Sequence, residues 1–545
     1  MRRLAIVLAA LVALVGAAPS ATGAGSRPRT DATYFNDASQ AAADPYVLFD
    51  KASGYYYAYS TDGADPGWYF AIYRSADLAT WQKLPGGALP ANDAKQWAND
   101  WFWAPEVYYN PHTGLYFMFY AGRSDANAQR WFGYANFEEP SKVGVAVSRS
   151  PAGPFHNITA EPIDYWPYDP SYHDVNLIMG PDQKKPPATL AQGQTAPLGT
   201  YIPFIDPDVF FDDTGKIYLY YSRNAYRNWV WDDDLGKYVE ESNIYAVELT
   251  SAWWNDPSGQ TMPGIASKYV NATRQPGDDP TRRKDGFVPV LDYDHDKQAW
   301  ENADVDDYAK SGGAQKDRRW AEGSTTIKRY VHGRAVYYLT YSANNFATPQ
   351  YGVGYATASS PLGPWRKYAG NPILSQAAGM YSTGHGSIIA SPDGRELYYV
   401  HHARPTPDTY RRLYTDRLRL DHSDARGNPI MSIDASTSDQ PIPSGVAPYT
   451  VRTDRPAIIV RTGAGTPVNW QVVSADGAAL ALDNPLNRVR ASIDDPTVAQ
   501  LVGSQVVGRR PGLTWLRLIY QREHADGTYH DVGQATAVVP VVVIR

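Results

Sequence analysis

The sequence predicts an all-β protein: a five-bladed β-propeller followed by a C-terminal immunoglobulin-like β-sandwich. Three observations lead there. Aromatic residues are abundant, with 41 Tyr, 16 Trp and 14 Phe, and they stand in short runs punctuated by 44 Gly and 42 Pro. Such runs suit pleated, half-buried strands joined by tight turns. One hairpin pattern recurs five times, and past residue 435 the chain changes to short alternating strands without helical periodicity.

Each hairpin is a short apolar strand, a glycine turn, and a Tyr-rich strand ending in small or polar residues. The copies begin at Pro45, Pro105, Pro207, Gly323 and Gly386, with turn glycines Gly54, Gly114, Gly215, Gly333 and Gly394. A further strand and turn follow most copies, as at 74–81, 145–155 and 354–365. About four strands per unit make a propeller blade, so five units predict five blades over residues 34–430. Spacings of 60, 101, 118 and 61 between turn glycines put insertions in the two middle gaps, at about 157–200 and 256–317. These are expected as surface loops flanking the binding face. Residues 436–448 are Ser/Pro-rich and read as a linker. Residues 449–545 form the immunoglobulin-like domain, expected to stabilise the propeller.

The N-terminus begins Met1-Arg2-Arg3, continues with an apolar run over 4–15 and ends in small residues through Ala24. That order predicts a secretory signal peptide over 1–24 and an extracellular protein. The run is too short for a comfortable membrane span. The chain has no cysteine, which excludes disulfides, thiolate metal sites and cysteine nucleophiles. A formal charge of −7 without a long basic tract argues against nucleic acid and against a membrane as partner. Tyr and Trp pair an apolar ring face with a polar tip, which suits sugars, although most of them are expected to pack between sheets. The expected partner is an oligo- or polysaccharide, met by a monomer.

Equivalent positions in successive blades lie on one ring around the axis. Aligning the hairpins on their first strands puts Asp44, Ala104, Asp206, Glu322 and His385 just ahead of those strands. Asp-Pro is a common turn-to-strand dipeptide and accounts for Asp44 and Asp206 separately, but not for Glu322 and His385. A lone charge at a crowded axis is costly. Three carboxylates there suit acid/base hydrolysis of a glycosidic bond, which needs a protonated acid at the leaving oxygen and an ionised carboxylate at the anomeric side. The third carboxylate raises the acid's pKa by like-charge repulsion.

The stretches ADPYVLFD, FWAPEVYY, GVAVSRSPAGPF, FIDPDVFFDDTGK, WAEGS and GHGSI resemble glycoside hydrolase family 43. The resemblance implies an inverting mechanism, with Asp44 as general base, Glu322 as general acid and Asp206 orienting the acid and modulating its pKa. The two acting carboxylates should then stand about 6.5–9.5 Å apart. It also implies a structural calcium or similar cation on the axis, held by His385 and water, and no organic cofactor. One imidazole is a poor ligand set for calcium, so a structural histidine is the alternative. Substrate contacts are expected from Trp103, Glu106, Tyr381 and Arg412, with Trp101 beside the ring. Arg411 competes with Arg412, and Asp208 competes with Asp206 for the modulating role. The expected activity is exo-α-L-arabinofuranosidase on plant-type pentose glycans, as in xylan degradation. β-Xylosidase and endo-arabinanase are alternatives on the same ring. A non-catalytic glycan-binding propeller is the alternative from another class.

Overall fold

The computed structural model describes residues 33–34, 36, 38–133, 135–163, 177–178, 183–196, 203–223, 227–266, 287–377, 379–435, 440–441, 443–444, 449–473, 479–480, 482, 487–523 and 528–545. The predicted signal peptide and most of the 436–448 linker lie outside the described residues. Among those described, no helix is long and apolar enough to cross a membrane.

Five four-stranded antiparallel sheets follow one another along the chain. Blade one comprises Tyr46–Asp50, Tyr55–Ser60, Ala71–Ser75 and Gln82–Lys83; blade two comprises Asp100–Asn110, Leu115–Arg123, Ser141–Ser148 and His156–Asn157. Blade three comprises Phe204–Phe211, Ile217–Arg223, Asn243–Leu249 and Val288–Pro289. Blade four comprises Ala321–Val331, Arg334–Ala343, Gly352–Ala358 and Arg366–Lys367; blade five comprises Tyr381–Ala390, Leu397–Arg404, Arg412–Ser423 and Pro429–Ile433. The hairpin turns close through glycines in the left-handed region, Gly54 at φ 74° and Gly215 at 82° among them, where a side chain would be strained.

The aromatic composition is explained between the blades. Tyr57, Tyr59 and Phe70 of blade one pack on Phe102, Met118 and Tyr120 of blade two. Phe117 and Phe119 meet Leu219, Tyr221 and Trp253 across the next gap. Clusters of the same kind join blades three and four, and four and five. Val47, Tyr56 and Tyr73 meet Tyr398, Val400 and Leu413, which closes blade five onto blade one. Hydroxyls satisfy themselves at the edges, as Tyr59 does on the Pro151 carbonyl at 2.6 Å. Burial of each large apolar side chain is worth roughly 1.5–3 kcal/mol, so these gaps hold the ring without disulfides.

The insertions are more than loops. Leu177–Ile178, Asn228–Asp232, Lys237–Glu241 and Arg318–Arg319 form an extra four-stranded sheet, in which Glu240 pairs with Arg318 in parallel register. The fully buried Glu240 carboxylate is met by Lys316 at 2.7 Å and Arg318 at 2.6 Å. Arg319 lies buried between Asp232 and Glu241. Ion pairs this deep are costly to break. They pin the strand that leads straight into Trp320 and Glu322.

The C-terminal unit is all β. Its largest sheet orders Ile458–Arg461, Tyr529–Ile544, Gly512–Glu523 and Asn487–Ile493, with the first pair parallel. Three-stranded and two-stranded sheets complete it around a Val-, Ile- and Leu-rich core. It docks on blade one through Asp77, which accepts from Tyr449 at 2.6 Å and Arg522 at 3.0 Å.

Candidate active site

The inner strand of each of blades two to five carries a β-bulge near its mouth. Register shifts fall between Trp103 and Glu106, Ile205 and Asp208, Glu322 and Thr325, and Gly384 and Gly386. The extra residue turns into the left-handed region, with φ 45° at Ala104, 51° at Asp206, 59° at Gly323 and 41° at His385; Asp44 in blade one has φ 50°. For non-glycine residues this costs about 1–2 kcal/mol each and concentrates strain on one ring.

The expected alignment is therefore off by one in blade four. Gly323, not Glu322, holds the ring position. A Cβ there would lie 2.6 Å from His385 Cγ, so the imidazole leaves space only for glycine. Glu322 takes the place before the bulge, equivalent to Trp103, Ile205 and Gly384. The offset keeps it in the site. Trp103, Ile205 and Glu322 line a cavity of about 660 Å³ together with the ring residues Asp44, Asp206 and His385.

The carboxylates sit in opposed environments. Asp44 accepts from Arg411 Nη1 at 2.9 Å and from Thr61 Oγ1 at 2.7 Å, and His385 Nδ1 lies 3.2 Å away. Burial pushes the Asp44 carboxyl up, but Arg411 and His385 hold it well below the usual carboxylate range. Glu322 accepts from Trp320 Nε1 and from the Tyr351 hydroxyl, each at 2.6 Å. Burial nevertheless raises it, with Asp44 adding to the effect. Asp206 accepts from Ser222 Oγ at 3.0 Å and is raised by burial, then by repulsion from Glu322 and Asp44. His385 is pulled down by burial, but the three carboxylates outweigh it and raise the imidazole. One cavity thus holds a carboxylate kept ionised and two that are driven toward the protonated form.

The sequence model for glycosyl hydrolases family 43 matches residues 38–184 and 269–422, which include every one of these acting groups except Asp206. The chain belongs to glycoside hydrolase family 43. It is 26% identical over 375 residues to a β-D-galactofuranosidase of Aspergillus niger, covering 68% of this chain and 76% of that protein. A solved thermostable family-43 glycoside hydrolase is 28% identical, with a TM-score of 0.51 over 76% of this chain and 100% of that one. An endo-1,4-β-xylanase from Bacteroides thetaiotaomicron is 26% identical, with a TM-score of 0.46 over 75% of this chain and 96% of that one.

Around this family-43 centre several expected contacts move. Trp103 lines the cavity and stacks on Trp101, with centroids 4.8 Å apart and planes 12° from parallel. Arg412 does not face the site; its guanidinium reaches the Ser39 carbonyl at 3.4 Å. Neighbours on a strand face opposite ways, and it is Arg411 that turns inward to Asp44. Tyr381 opens the inner strand of blade five, paired with Arg404, and is not among the cavity-lining residues. Glu106 lies two residues past the ring, buried, and accepts from the Tyr108 hydroxyl. It faces Asp208 rather than the cavity, and burial and that neighbour push it well up. Asp208 accepts from Thr326 Oγ1 at 2.8 Å and is pushed up to about 7 by burial.

His402, Tyr351, Trp320 and Phe346 were not anticipated. His402 Nδ1 accepts the Asp44 backbone N–H at 3.1 Å, and burial pushes its pKa down to about 3, so the ring is neutral. As part of a His401-His402 strand it gave no sequence signal. Phe346 covers Arg411, whose guanidinium lies 4.8 Å from the ring centroid. Among the described residues, no group of three or more His, Asp or Glu is arranged to hold a metal. His385 Nδ1 already faces Asp44, and a hard cation takes six to eight oxygens. These side chains do not fit a protein-built calcium cage.

Proposed function

We propose that this family-43 enzyme hydrolyses terminal α-L-arabinofuranosides with inversion. Asp44 acts as general base, Glu322 as general acid, and Asp206 keeps the acid's proton in place. The reading is carried by the opposed settings of Asp44 and Glu322 on one cavity. Inversion needs one ionised and one protonated carboxyl group on opposite sides of the scissile bond. Asp44, held ionised by Arg411, orients a water toward the anomeric carbon. So acidic a carboxyl is a weak base, and the water's proton moves onto it only as the C–O bond breaks and positive charge builds on the ring. Glu322 protonates the departing oxygen. Asp206 and Glu322 repel each other when both are ionised, so the pair retains a proton that Glu322 can deliver.

β-D-Galactofuranosides are the second substrate reading, favoured by the Aspergillus niger relative. The two furanosides share ring stereochemistry and differ in the exocyclic carbon chain. Aryl α-L-arabinofuranoside, β-D-galactofuranoside and β-xyloside, beside linear arabinan, separate the readings. Glu322→Gln should lose about 10²–10⁴-fold on poor leaving groups. NMR of the first-formed sugar should show the inverted anomer. A retained anomer would sink the mechanism, and no turnover by wild type on any substrate would leave a glycan-binding propeller.

Arg411 offers a test with a sign. Arg411→Gln removes the largest influence lowering Asp44, so its pKa rises and the acidic limb of kcat/KM moves to higher pH. An unmoved acidic limb would separate Arg411 from the base.

We also read residues 1–24 as a leader that directs export. The C-terminal unit is read as an immunoglobulin-like sandwich that braces blade one.

A further inference from the structure

Glu322 has both oxygens engaged, and the two partners are chemically unequal. Trp320 Nε1 can only donate, so Oε2 acts as an acceptor, the role that an unprotonated carboxyl oxygen fills best. Tyr351 is a hydroxyl and can both donate and accept. It is fully buried and is not among the cavity-lining residues, so it reaches the reaction only through Glu322. Its ring is fixed by parallel stacking on His402, 5.7 Å between centroids and 4° between planes. Ser342 lies close to its hydroxyl. Ser342 Oγ itself accepts from the His385 N–H at 2.7 Å. A rigid, reversible hydroxyl thus stands against one oxygen of the acid, and a rigid, donor-only indole against the other.

We propose that Tyr351 is the positioning residue that keeps the catalytic proton on Oε1 of Glu322; this rests on Glu322 being the acid. Once Glu322 is protonated the bond reverses, and the Oε1–H donates to Tyr351 Oη. The substrate's glycosidic oxygen then replaces Oη as acceptor. The Oε1–H bond breaks, an O–H bond forms on the leaving oxygen, and that oxygen keeps the electron pair of the broken C–O bond. Tyr351 retains its own proton and turns it onto the new carboxylate, matching the bond that Trp320 gives to Oε2. The other groups facing Glu322 are Asp44, Asp206, His385 and Arg411, and none of them hydrogen-bonds its oxygens in this arrangement.

The test is Tyr351→Phe, assayed on aryl glycosides of graded leaving-group pKa and across pH, beside Glu322→Gln. The hydroxyl stabilises the charged acid, so its loss raises the Glu322 pKa and moves the basic limb of kcat/KM to higher pH. Turnover of poor leaving groups should fall about tenfold to a hundredfold, while a dinitrophenyl glycoside, which needs no proton, should be nearly unaffected. Equal losses on all leaving groups with an unmoved basic limb would mean a packing role only and overturn the proposal. If Tyr351→Phe does not fold, 3-fluorotyrosine at 351 keeps the shape and strengthens the donor. The basic limb should then move down, and no movement would again overturn it. Should Glu322→Gln itself show no dependence on leaving group, the acid assignment fails first. A normal Glu322→Gln result with an unresponsive Tyr351 variant defeats this inference alone.

Discussion

Asp44→Asn is expected to lower kcat/KM by about 10²–10⁴-fold on every glycoside the enzyme cleaves, whatever the leaving group. The amide keeps the size of the side chain and its hydrogen bond from Thr61, but it cannot accept a proton from water. Activated leaving groups should not rescue it, because they relieve the acid and not the base. That contrast with Glu322→Gln separates the two carboxylates by kinetics alone. A second readout follows from charge. Asp44 is the largest influence raising His385, so its neutralisation lowers the His385 pKa, which imidazole titration by NMR would follow. An Asp44→Asn protein with near wild-type turnover, or an unmoved His385, would remove Asp44 from the reaction.

Arg522→Met is expected to cost about 3–5 kcal/mol at neutral pH, the usual penalty for leaving one member of a buried pair alone. Asp77 is fully buried, and besides Arg522 and Tyr449 it accepts the backbone N–H groups of Ala79 at 3.0 Å and Thr80 at 2.8 Å. Burial pushes its carboxyl up, but Arg522, Tyr449 and the two N–H groups hold it below the usual range. In the wild type this contributes stability that is present above the unfolded pKa, near 3.9, and is lost as pH falls through the folded value. Without Arg522 the buried carboxyl prefers its neutral form. The stability gap between the two proteins should therefore begin to narrow as pH falls through the raised Asp77 pKa of the variant, and narrow further below about pH 4 as the wild type loses its own contribution. Adding Asp77→Asn should recover part of the loss. Denaturant unfolding across pH reads all three, and a gap independent of pH would mean that Arg522 acts through packing.

Much of the fold was legible because its signals are local. Alternating Tyr-rich strands, turn glycines and their repeat spacing are properties of neighbours in sequence, and they predicted five blades of about four strands, the number and size of the sheets observed. The acidic ring was legible for the same reason, since repeats place equivalent residues at equivalent points. The insertions were read as loops because their strands pair with segments outside them, as Leu177 does with Trp229. The last domain's alternation predicted strands but not the order in which they pair.

By itself, then, the sequence determined the blades, the family and the presence of Asp44, Asp206, Glu322 and His385 at the mouth of the propeller. Only the tertiary structure decided which atoms meet there. A bulge moves the register by one residue, which puts Gly323 on the ring and Glu322 before it. Strand alternation turned Arg411 inward instead of Arg412. His402 reaches Asp44 across 358 residues, and Tyr351 meets Glu322 from a different strand. Periodicity reports which face of a strand is buried, but close packing across blades selects the hydrogen-bond partners, and those partners set the protonation of each carboxylate.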